Sequence, residues 1–230
     1  MDQMDKNTVS ARGQLKSSDC VMFEHLERKG LRVMFMGNSI TCHGIKHEIG
    51  WHNRWGMAAS AKEKDYVHLC MAEIEKKHPE AAFCICQISQ WEMNYKQGEE
   101  TYPIYEYARE FAADVLIFRA VENCSKTGYE KEGFQQSLAG LMEYLNPGDR
   151  GEVLMTTGFW KHPADEAIRA YAKDKGWELC ELGDLGEQDE MKAIGLFEHS
   201  GVANHPGDLG MQVMAERIME KLAGLKRYAE

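Results

Sequence analysis

The sequence contains candidates for a nucleophile, a base and an oxyanion donor, the three functions that serine-based acyl transfer requires. Ser39 directly follows a short apolar run, within the sequence Gly-Asn-Ser-Ile-Thr of residues 37–41. His205 precedes Pro206, which restricts the backbone just before a predicted helix and so holds the histidine in place. Asn123 follows another apolar run, and its side-chain amide can donate hydrogen bonds. These residue types predict attack on a carbonyl carbon by Ser39, with His205 as the base.

Each of the three residues also has a structural interpretation when it is taken alone. A serine after Gly-Asn at a strand-to-helix turn is an ordinary helix cap, and an asparagine after a strand often satisfies the backbone of a turn. A histidine before the last helix can cap that helix or pack against it. The catalytic interpretation therefore depends on whether the fold brings Ser39, Asn123 and His205 together.

Apolar periodicity predicts five strands that alternate with helices, without repeats or low-complexity tracts. This alternation is typical of an α/β fold of three layers, α/β/α, with a five-stranded parallel sheet in a flavodoxin-like arrangement. Ligands of such sheets bind outside the carboxyl ends of the strands. The loops predicted at that edge contain Ser39, Ser89, Asn123, Trp160 and His205. The predicted strands cover residues 31–36, 82–88, 114–118, 153–157 and 177–182.

The length of 230 residues, 43% of them hydrophobic, suffices for one domain with a full core. Residues 31–230 are predicted to form this domain. Residues 1–30 are predicted to form an N-terminal arm with one short helix, which Ser18 and Asp19 would cap and Gly30 would end. We expect the arm to pack on the domain or on a neighbouring molecule.

The charge balance bears on the partners of the protein. A formal net charge of −10 without a basic stripe argues against nucleic acid and anionic membranes as partners, and favours a small-molecule substrate. No segment approaches 18 consecutive apolar residues, so none is predicted to span a membrane. The sequence leaves the oligomeric state open.

The cysteines and histidines give no metal-binding pattern. Seven cysteines, an odd number without paired spacing, are predicted to be reduced thiols of a cytoplasmic protein. His43, His47 and His52 lie in the long loop after residue 41, but no carboxylate or cysteine recurs at ligand spacing around them. We therefore predict solvated loop histidines, no metal and no cofactor.

Three segments, in order, resemble the conserved blocks of the SGNH, or GDSL, hydrolase family. Residues 37–41 resemble the nucleophile block, with Asn38 at a position where the family often has aspartate. Glu122-Asn123 resembles the block whose asparagine enters the oxyanion hole, and residues 205–210 resemble the block that supplies the base. The resemblance implies an SGNH hydrolase fold and hydrolysis of esters, often acetyl esters of carbohydrates, through a serine acyl-enzyme.

The acid of the family's triad is missing from its usual position. That position lies three residues before the histidine and holds Val202 here. Because the acid mainly keeps Nδ1 protonated and the ring oriented, we expect a backbone carbonyl near Val202 to replace it, which would give a dyad of Ser39 and His205. Carboxylates that could orient His205 instead are Glu198, Glu92 and Glu122.

The second departure concerns the oxyanion hole. Where the family contributes a glycine N–H after the second strand, this chain has Ser89 and Gln90. A backbone amide does not require glycine for its chemistry, so the N–H of Ser39, an N–H near Ser89 or Gln90, and the Asn123 side chain are the predicted donors.

Four tryptophans fall on predicted loops near the site. Their flat faces would suit a sugar ring or wall off an acyl pocket, and with Glu122 they are the candidate substrate-binding residues. The alternative is that these aromatic rings pack the long loop onto the domain. The tryptophans are Trp51, Trp55, Trp91 and Trp160.

Two other functions compete with ester hydrolysis. A flavodoxin-like binding module would use the turn of residues 37–41 to hold a phosphate or nucleotide with backbone amides, but it leaves His205 without a task. A catalytically degenerate family member would bind sugars without turnover, and Val202 at the acid position motivates this alternative.

Overall fold

A six-stranded, mostly parallel sheet forms the centre of the computed structural model, which describes residues 14–230. The strands are β1 Val21–Glu24, β2 Arg32–Gly37, β3 Ala82–Gln87, β4 Val115–Arg119, β5 Glu152–Thr156 and β6 Glu178–Cys180. Their order in the sheet is β1-β3-β2-β4-β5-β6. Strands β2 to β6 pair in parallel, whereas β1 pairs antiparallel with β3 at the edge. The five predicted parallel strands are thus confirmed, and a sixth strand is added.

The short helix predicted after Ser18 is wrong, because residues 21–24 form strand β1. Val21 lies opposite Cys86, and Glu24 lies opposite Phe83, so β1 covers an edge of β3 that would otherwise have unpaired backbone groups. A short apolar pattern fits a helix or a strand, and here the pairing with β3 decides between them. Residues 1–13 of the predicted arm lie outside the described part of the chain.

Helices cover both faces of the sheet, as the three-layer prediction requires. The helices are α1 Tyr66–Lys77, α2 Ser89–Met93, α3 Glu106–Phe111, α4 Lys131–Leu145, α5 Asp165–Lys175, α6 Ser200–Ala203, α7 Asp208–Leu222 and α8 Lys226–Ala229. Residues of β2 alternate between the layers: Met34 and Met36 pack with α3, α4 and α5, whereas Val33 and Phe35 pack with α1 and α7. Within residues 14–230 no helix has the length and apolar character needed to cross a membrane.

The long loop between β2 and α1 folds back on the turn after β2. The Met57 N–H donates to the Ser39 carbonyl at 2.8 Å, and the His43 N–H donates to the Trp55 carbonyl at 3.0 Å. Trp51 and Met57 pack with Val202 in a separate apolar cluster. The loop therefore connects the turn that carries Ser39 with the segment before α7 that carries His205.

Candidate active site

Gly37 ends β2 at a position where no larger residue fits. A Cβ there would contact Thr41 Oγ1 and would lie 2.6 Å from the Arg119 carbonyl oxygen. The Gly37 carbonyl accepts a hydrogen bond from the Ile88 N–H at 2.6 Å. Thr41 in turn is hydrogen-bonded through Oγ1 to the Tyr66 hydroxyl at 2.7 Å. The sheet packs closely around this turn, and Ser39 stands on it at the carboxyl end of β2.

Ser39 and His205 are hydrogen-bonded partners although 166 residues separate them. Ser39 Oγ lies 2.8 Å from His205 Nε2. The backbone of His205 is held in turn, because its carbonyl accepts a hydrogen bond from the Ala193 N–H at 2.9 Å. The fold thus brings together two of the three residues on which the catalytic interpretation depends.

A backbone carbonyl orients the His205 ring, as expected from the sequence. Nδ1 of His205 donates to the Gly201 carbonyl oxygen at 2.7 Å, which leaves Nε2 as the acceptor for the Ser39 hydroxyl. Burial lowers the pKa of His205 to about 4, so the imidazole is neutral at physiological pH. A neutral ring with this tautomer is the form that can accept a proton from serine.

The position of the missing acid lies in the apolar core. Val202 is 1% exposed and packs with Trp51 and Ala193. Within residues 14–230, none of the three carboxylates considered as alternative orienters is hydrogen-bonded to His205. Glu198 is exposed, and both Glu92 and Glu122 bond elsewhere.

A buried polar cluster lies directly behind the nucleophile turn. Asn38 Nδ2 donates to Glu92 Oε1 at 3.0 Å and to Glu122 Oε2 at 2.6 Å. Arg119 donates through Nη2 to Asn38 Oδ1 and through Nη1 to Glu122 Oε1, the latter at 2.5 Å. Glu122 also accepts the Phe159 N–H at 2.7 Å. Asn38 is thereby fixed on both sides of its amide, immediately before Ser39.

The pKa values of the two glutamates in this cluster are shifted in opposite directions. Burial, together with the charge of Glu122, raises the pKa of Glu92 to about 6. Burial also acts to raise the pKa of Glu122, but the Arg119 guanidinium outweighs it and holds that pKa below its usual value. Glu122 is therefore the permanent anion that balances Arg119.

Asn123 joins the cluster at the carboxyl end of β4. Its Nδ2 donates to Glu92 Oε2 at 2.8 Å, and the residue is exposed. Val121, two residues earlier, has a φ of +129°, a region that a β-branched residue rarely adopts. Its N–H donates to Glu92 Oε1 at 2.5 Å. Asn123 thus connects to Ser39 through Glu92 and Asn38.

The backbone donors predicted for the oxyanion hole differ in availability. Within residues 14–230 the Ser39 N–H has no hydrogen-bond partner, which leaves it available. The predicted donor at Ser89 is not available, because its N–H already donates to Gln87 Oε1 at 3.2 Å. The Gln90 N–H, in the first turn of α2, has no partner in the described part of the chain.

Of the four tryptophans, Trp160 contacts the candidate pair. Its ring stands edge to face against the His205 ring, with centroids 5.5 Å apart. Trp51 and Trp91 are fully buried, which leaves neither ring an exposed face for a substrate. Trp51 packs on Phe197, and Trp91 donates through Nε1 to Ser137 Oγ at 2.9 Å. Half-buried Trp55 donates through Nε1 to the Ala59 carbonyl, at 3.0 Å, within the long loop.

Two of the three histidines of the long loop pair with each other, and His43 Nδ1 donates to the Gly44 carbonyl at 2.6 Å. Nδ1 of His47 lies 2.7 Å from Nδ1 of His52. Among residues 14–230 there is no group of three or more His, Cys, Asp or Glu side chains that could hold a metal ion. The cysteines of this part of the chain are all free thiols.

Arg119 is the residue of the site that the sequence analysis missed. It lies in the apolar strand Val115–Arg119 and is fully buried, with Glu122 three residues later. A single basic residue at the end of an otherwise apolar strand, followed by Glu-Asn, is the available signal, since a buried cation needs a partner.

Trp160 packs directly against Gly186, and a substitution at this glycine tests the packing around His205. A methyl group at Gly186 would lie 2.5 Å from Trp160 Cδ1 and 2.6 Å from the Phe159 carbonyl oxygen. We expect Gly186→Ala to displace Trp160 and to lower the free energy of unfolding by about 1–3 kcal/mol. Denaturant unfolding followed by tryptophan fluorescence measures this.

Gly183→Ala is the matched control for that substitution, because the nearest atom to its Cβ would be Lys161 Cγ at 3.5 Å, an ordinary contact. We expect the control to unfold as the wild type does. Equal stability of the two variants would contradict the proposed support of Trp160.

Comparison with solved structures identifies the fold. A lipolytic protein of the G-D-S-L family from Veillonella parvula matches with a TM-score of 0.55 and 16% identity, over 85% of this chain and all of that protein. A two-domain esterase active on acetylated mannans also gives 0.55 at 16% identity, and the chain spans 51% of its length. A family two carbohydrate esterase from Clostridium thermocellum gives 0.51 at 12% identity, over 84% of this chain and 63% of that one.

These matches show that the chain has the fold of the GDSL, or SGNH, hydrolases, which confirms the fold implied by residues 37–41 and 205–210. The sequence itself matches no protein-family model, and it matches no curated protein.

Proposed function

We propose that this protein is a serine esterase with a catalytic dyad of Ser39 and His205. The observation that carries the proposal is a chain of two hydrogen bonds through one ring: Ser39 Oγ lies 2.8 Å from His205 Nε2, and His205 Nδ1 lies 2.7 Å from the Gly201 carbonyl oxygen. This arrangement supplies a nucleophile, a neutral base and an orienting acceptor for the base, which covers the tasks of a triad without its carboxylate.

In the proposed reaction Ser39 Oγ attacks the ester carbonyl carbon while His205 Nε2 takes the hydroxyl proton. The protonated ring then gives this proton to the leaving alcohol as the carbon–oxygen bond breaks, which forms the acyl-enzyme. Water repeats the sequence, with His205 as base, and releases the acid and free serine. The Gly201 carbonyl accepts from Nδ1 in every step and so keeps the ring in one orientation.

The oxyanion of the tetrahedral intermediate is stabilised by hydrogen-bond donors at the same edge. The Ser39 N–H is unpartnered within residues 14–230, and Asn123 Nδ2 uses one of its two hydrogens for Glu92. The second hydrogen of Asn123 and the Gln90 N–H complete the proposed set. Such donors act on charge that develops in the transition state and therefore raise kcat.

For the substrate we propose small acyl esters, with acetyl esters of carbohydrates as the preferred class. Two structural neighbours support this class by their descriptions, since one acts on acetylated mannans and the other is a carbohydrate esterase. Trp160, half-buried beside His205, offers an aromatic surface next to the reacting atoms. We assign Glu122 to the buried cluster rather than to substrate contact, because its oxygens accept hydrogen bonds from Arg119, Asn38 and the Phe159 N–H.

The two competing functions account for less of the geometry. A phosphate-binding turn would use the Ser39 hydroxyl and N–H, but it would not require a neutral, oriented histidine on that hydroxyl. A degenerate sugar-binding member would not require the pair to keep hydrogen-bonding distance either. The intact pair therefore favours turnover.

Covalent labelling tests the proposal. We expect a fluorophosphonate probe to add one adduct to the folded protein, and peptide mass spectrometry should place the adduct on Ser39. Ser125→Ala, which removes an exposed serine of the loop after β4, serves as the control and should label normally. Failure of the probe to react, or an adduct that persists in Ser39→Ala, would overturn the assignment of the nucleophile.

A further inference from the structure

Glu92 accepts hydrogen bonds from the loop after β2 and from the loop after β4, which both contribute to the candidate site. The side chain is 0% exposed. Its Oε1 accepts from the Val121 N–H at 2.5 Å and from Asn38 Nδ2 at 3.0 Å, and its Oε2 accepts from Asn123 Nδ2 at 2.8 Å. One buried carboxylate thus connects the residue before the nucleophile with the amide proposed for the oxyanion hole.

The chemistry of a carboxylate determines which way the Asn123 amide faces. An ionised carboxylate only accepts hydrogen bonds, whereas a side-chain amide can present either its oxygen or its nitrogen. Opposite Glu92, Asn123 must therefore present Nδ2, and the second hydrogen of that nitrogen points in one fixed direction. A neutral carboxyl or amide at position 92 would also donate, and the Asn123 amide could then reverse.

We propose that Glu92 is a positioning residue, which fixes the Asn123 amide and the Asn38 side chain in the orientations that the reaction of Ser39 requires. The inference rests on the proposed esterase function and adds a requirement to it: position 92 must hold a group that accepts and does not donate. Glu92 is hydrogen-bonded to neither Ser39 nor His205, so its effect passes through its two amide partners.

The strained backbone at Val121 supports this role. A φ of +129° is costly for a β-branched residue and persists where the surrounding contacts determine it. The short hydrogen bond from the Val121 N–H to Glu92 is such a contact, and it fixes the chain two residues before Asn123. Glu92 therefore holds both the backbone and the side chain of this segment.

The requirement for an ionised Glu92 makes the site sensitive to pH. The charged and titratable groups around it are Arg119, Glu122 and the Cys124 thiol. Burial and the charge of Glu122 raise the pKa of Glu92 to about 6, so the acceptor-only form is lost as pH falls through that value. His205, with its pKa lowered by burial to about 4, stays neutral over the same interval. The decrease of kcat at acidic pH should therefore follow the protonation of Glu92.

The test compares Glu92→Gln with wild type in steady-state hydrolysis of p-nitrophenyl acetate from pH 4.5 to 8. We expect kcat at pH 7.5 to fall about 10- to 100-fold, less than loss of a whole oxyanion donor can cost, with KM changed less than about threefold. We expect the decrease of kcat near pH 6 to be absent from the variant. Glu100→Gln makes the same charge change at an exposed position and should behave as wild type.

A double-mutant cycle separates positioning from a general structural effect. If Glu92 acts mainly through Asn123, then Glu92→Gln should cost much less kcat in an Asn123→Ala background than alone. A wild-type kcat that stays constant from pH 8 down to about 4.5 would overturn the inference, and this measurement holds even where Glu92→Gln fails to fold. Wild-type kcat in folded Glu92→Gln would overturn it too. By contrast, activity that survives Ser39→Ala would defeat the esterase proposal itself.

Discussion

Replacement of Ser39 or of His205 by alanine is expected to remove nearly all esterase turnover, with kcat for p-nitrophenyl acetate falling by about 10⁴-fold or more. Ser39→Ala removes the atom that forms the acyl-enzyme. His205→Ala leaves a hydroxyl without a base, because Nε2 is the group within 2.8 Å that can accept its proton. Steady-state hydrolysis by both variants, compared with wild type whose active sites have been counted by titration, would measure both losses.

The two substitutions are expected to be strongly non-additive, because the two side chains act as one unit. The double variant Ser39→Ala/His205→Ala should therefore be about as slow as either single variant. His52→Ala, an exposed histidine of the long loop, is the control and should keep the wild-type rate. Losses that multiply in the double variant, or a His205→Ala enzyme within about tenfold of wild type, would refute the dyad.

The parts of the molecule that the sequence predicted correctly are those with strong local patterns. Apolar runs of five or six residues between helical stripes give the parallel sheet, because strands buried on both faces need continuous apolar sequence. The carboxyl ends of such strands meet at one edge, and this places Ser39 and Asn123 on the same side of the sheet. The backbone carbonyl that orients His205 was predictable once Val202 occupied the acid position.

The features that the sequence did not resolve depend on contacts between distant segments. Residues 21–24 have no local preference strong enough to choose strand over helix, and the free edge of β3 makes the choice. Trp51, Trp91 and Trp160 were all predicted on loops near the site, but Trp91 lies in α2. Packing buries Trp51 and Trp91 and leaves Trp160 beside His205. The Ser89 N–H is lost to the oxyanion hole because of a neighbouring side chain, Gln87.

The sequence indicates the buried cluster behind the nucleophile only through Arg119 at the end of an apolar strand, and it does not indicate the partners of that residue. The hydrogen bonds of the cluster connect Asn38 with Glu92, 54 residues away, and with Glu122, 84 residues away. The asparagine at position 38 is suited to this place, since its amide donates to two glutamates while its oxygen accepts from Arg119. Aspartate there would bring a third carboxylate beside one guanidinium, so the choice of Asn38 follows from the charges around it.

Loss of the Arg119 charge is expected to have the largest effect on stability. Arg119 is 0% exposed and contacts both oxygens of Glu122 as well as Asn38. Arg119→Met keeps an apolar stem of similar length but leaves Glu122 as a buried anion without a cation. Breaking a buried pair on one side costs about 3–5 kcal/mol, which corresponds to roughly 10 °C in melting temperature for a domain of this size.

The stability lost in Arg119→Met should depend on pH, and the direction of this dependence can be predicted. In the wild type, Arg119 holds the pKa of Glu122 below its ordinary value, so the pair contributes stability above the unfolded pKa and loses it as pH falls. In Arg119→Met the buried carboxyl gains a raised pKa instead, and protonation removes the unpaired charge. The difference in unfolding free energy between wild type and variant should therefore be larger at pH 7.5 than at pH 5, as measured by denaturant unfolding.

Two further variants test whether the unpaired charge of Glu122 causes the loss of stability in Arg119→Met. Arg119→Met/Glu122→Gln removes both charges and should recover part of the loss at pH 7.5, since a neutral amide costs less to bury. Arg169→Met breaks an exposed bidentate pair with Glu181, whose bonds are 2.7 and 2.8 Å long, and should cost less than about 1 kcal/mol. If Arg119→Met costs no more than Arg169→Met, the cluster does not depend on its cation, and Asn38 must be held by the glutamates alone.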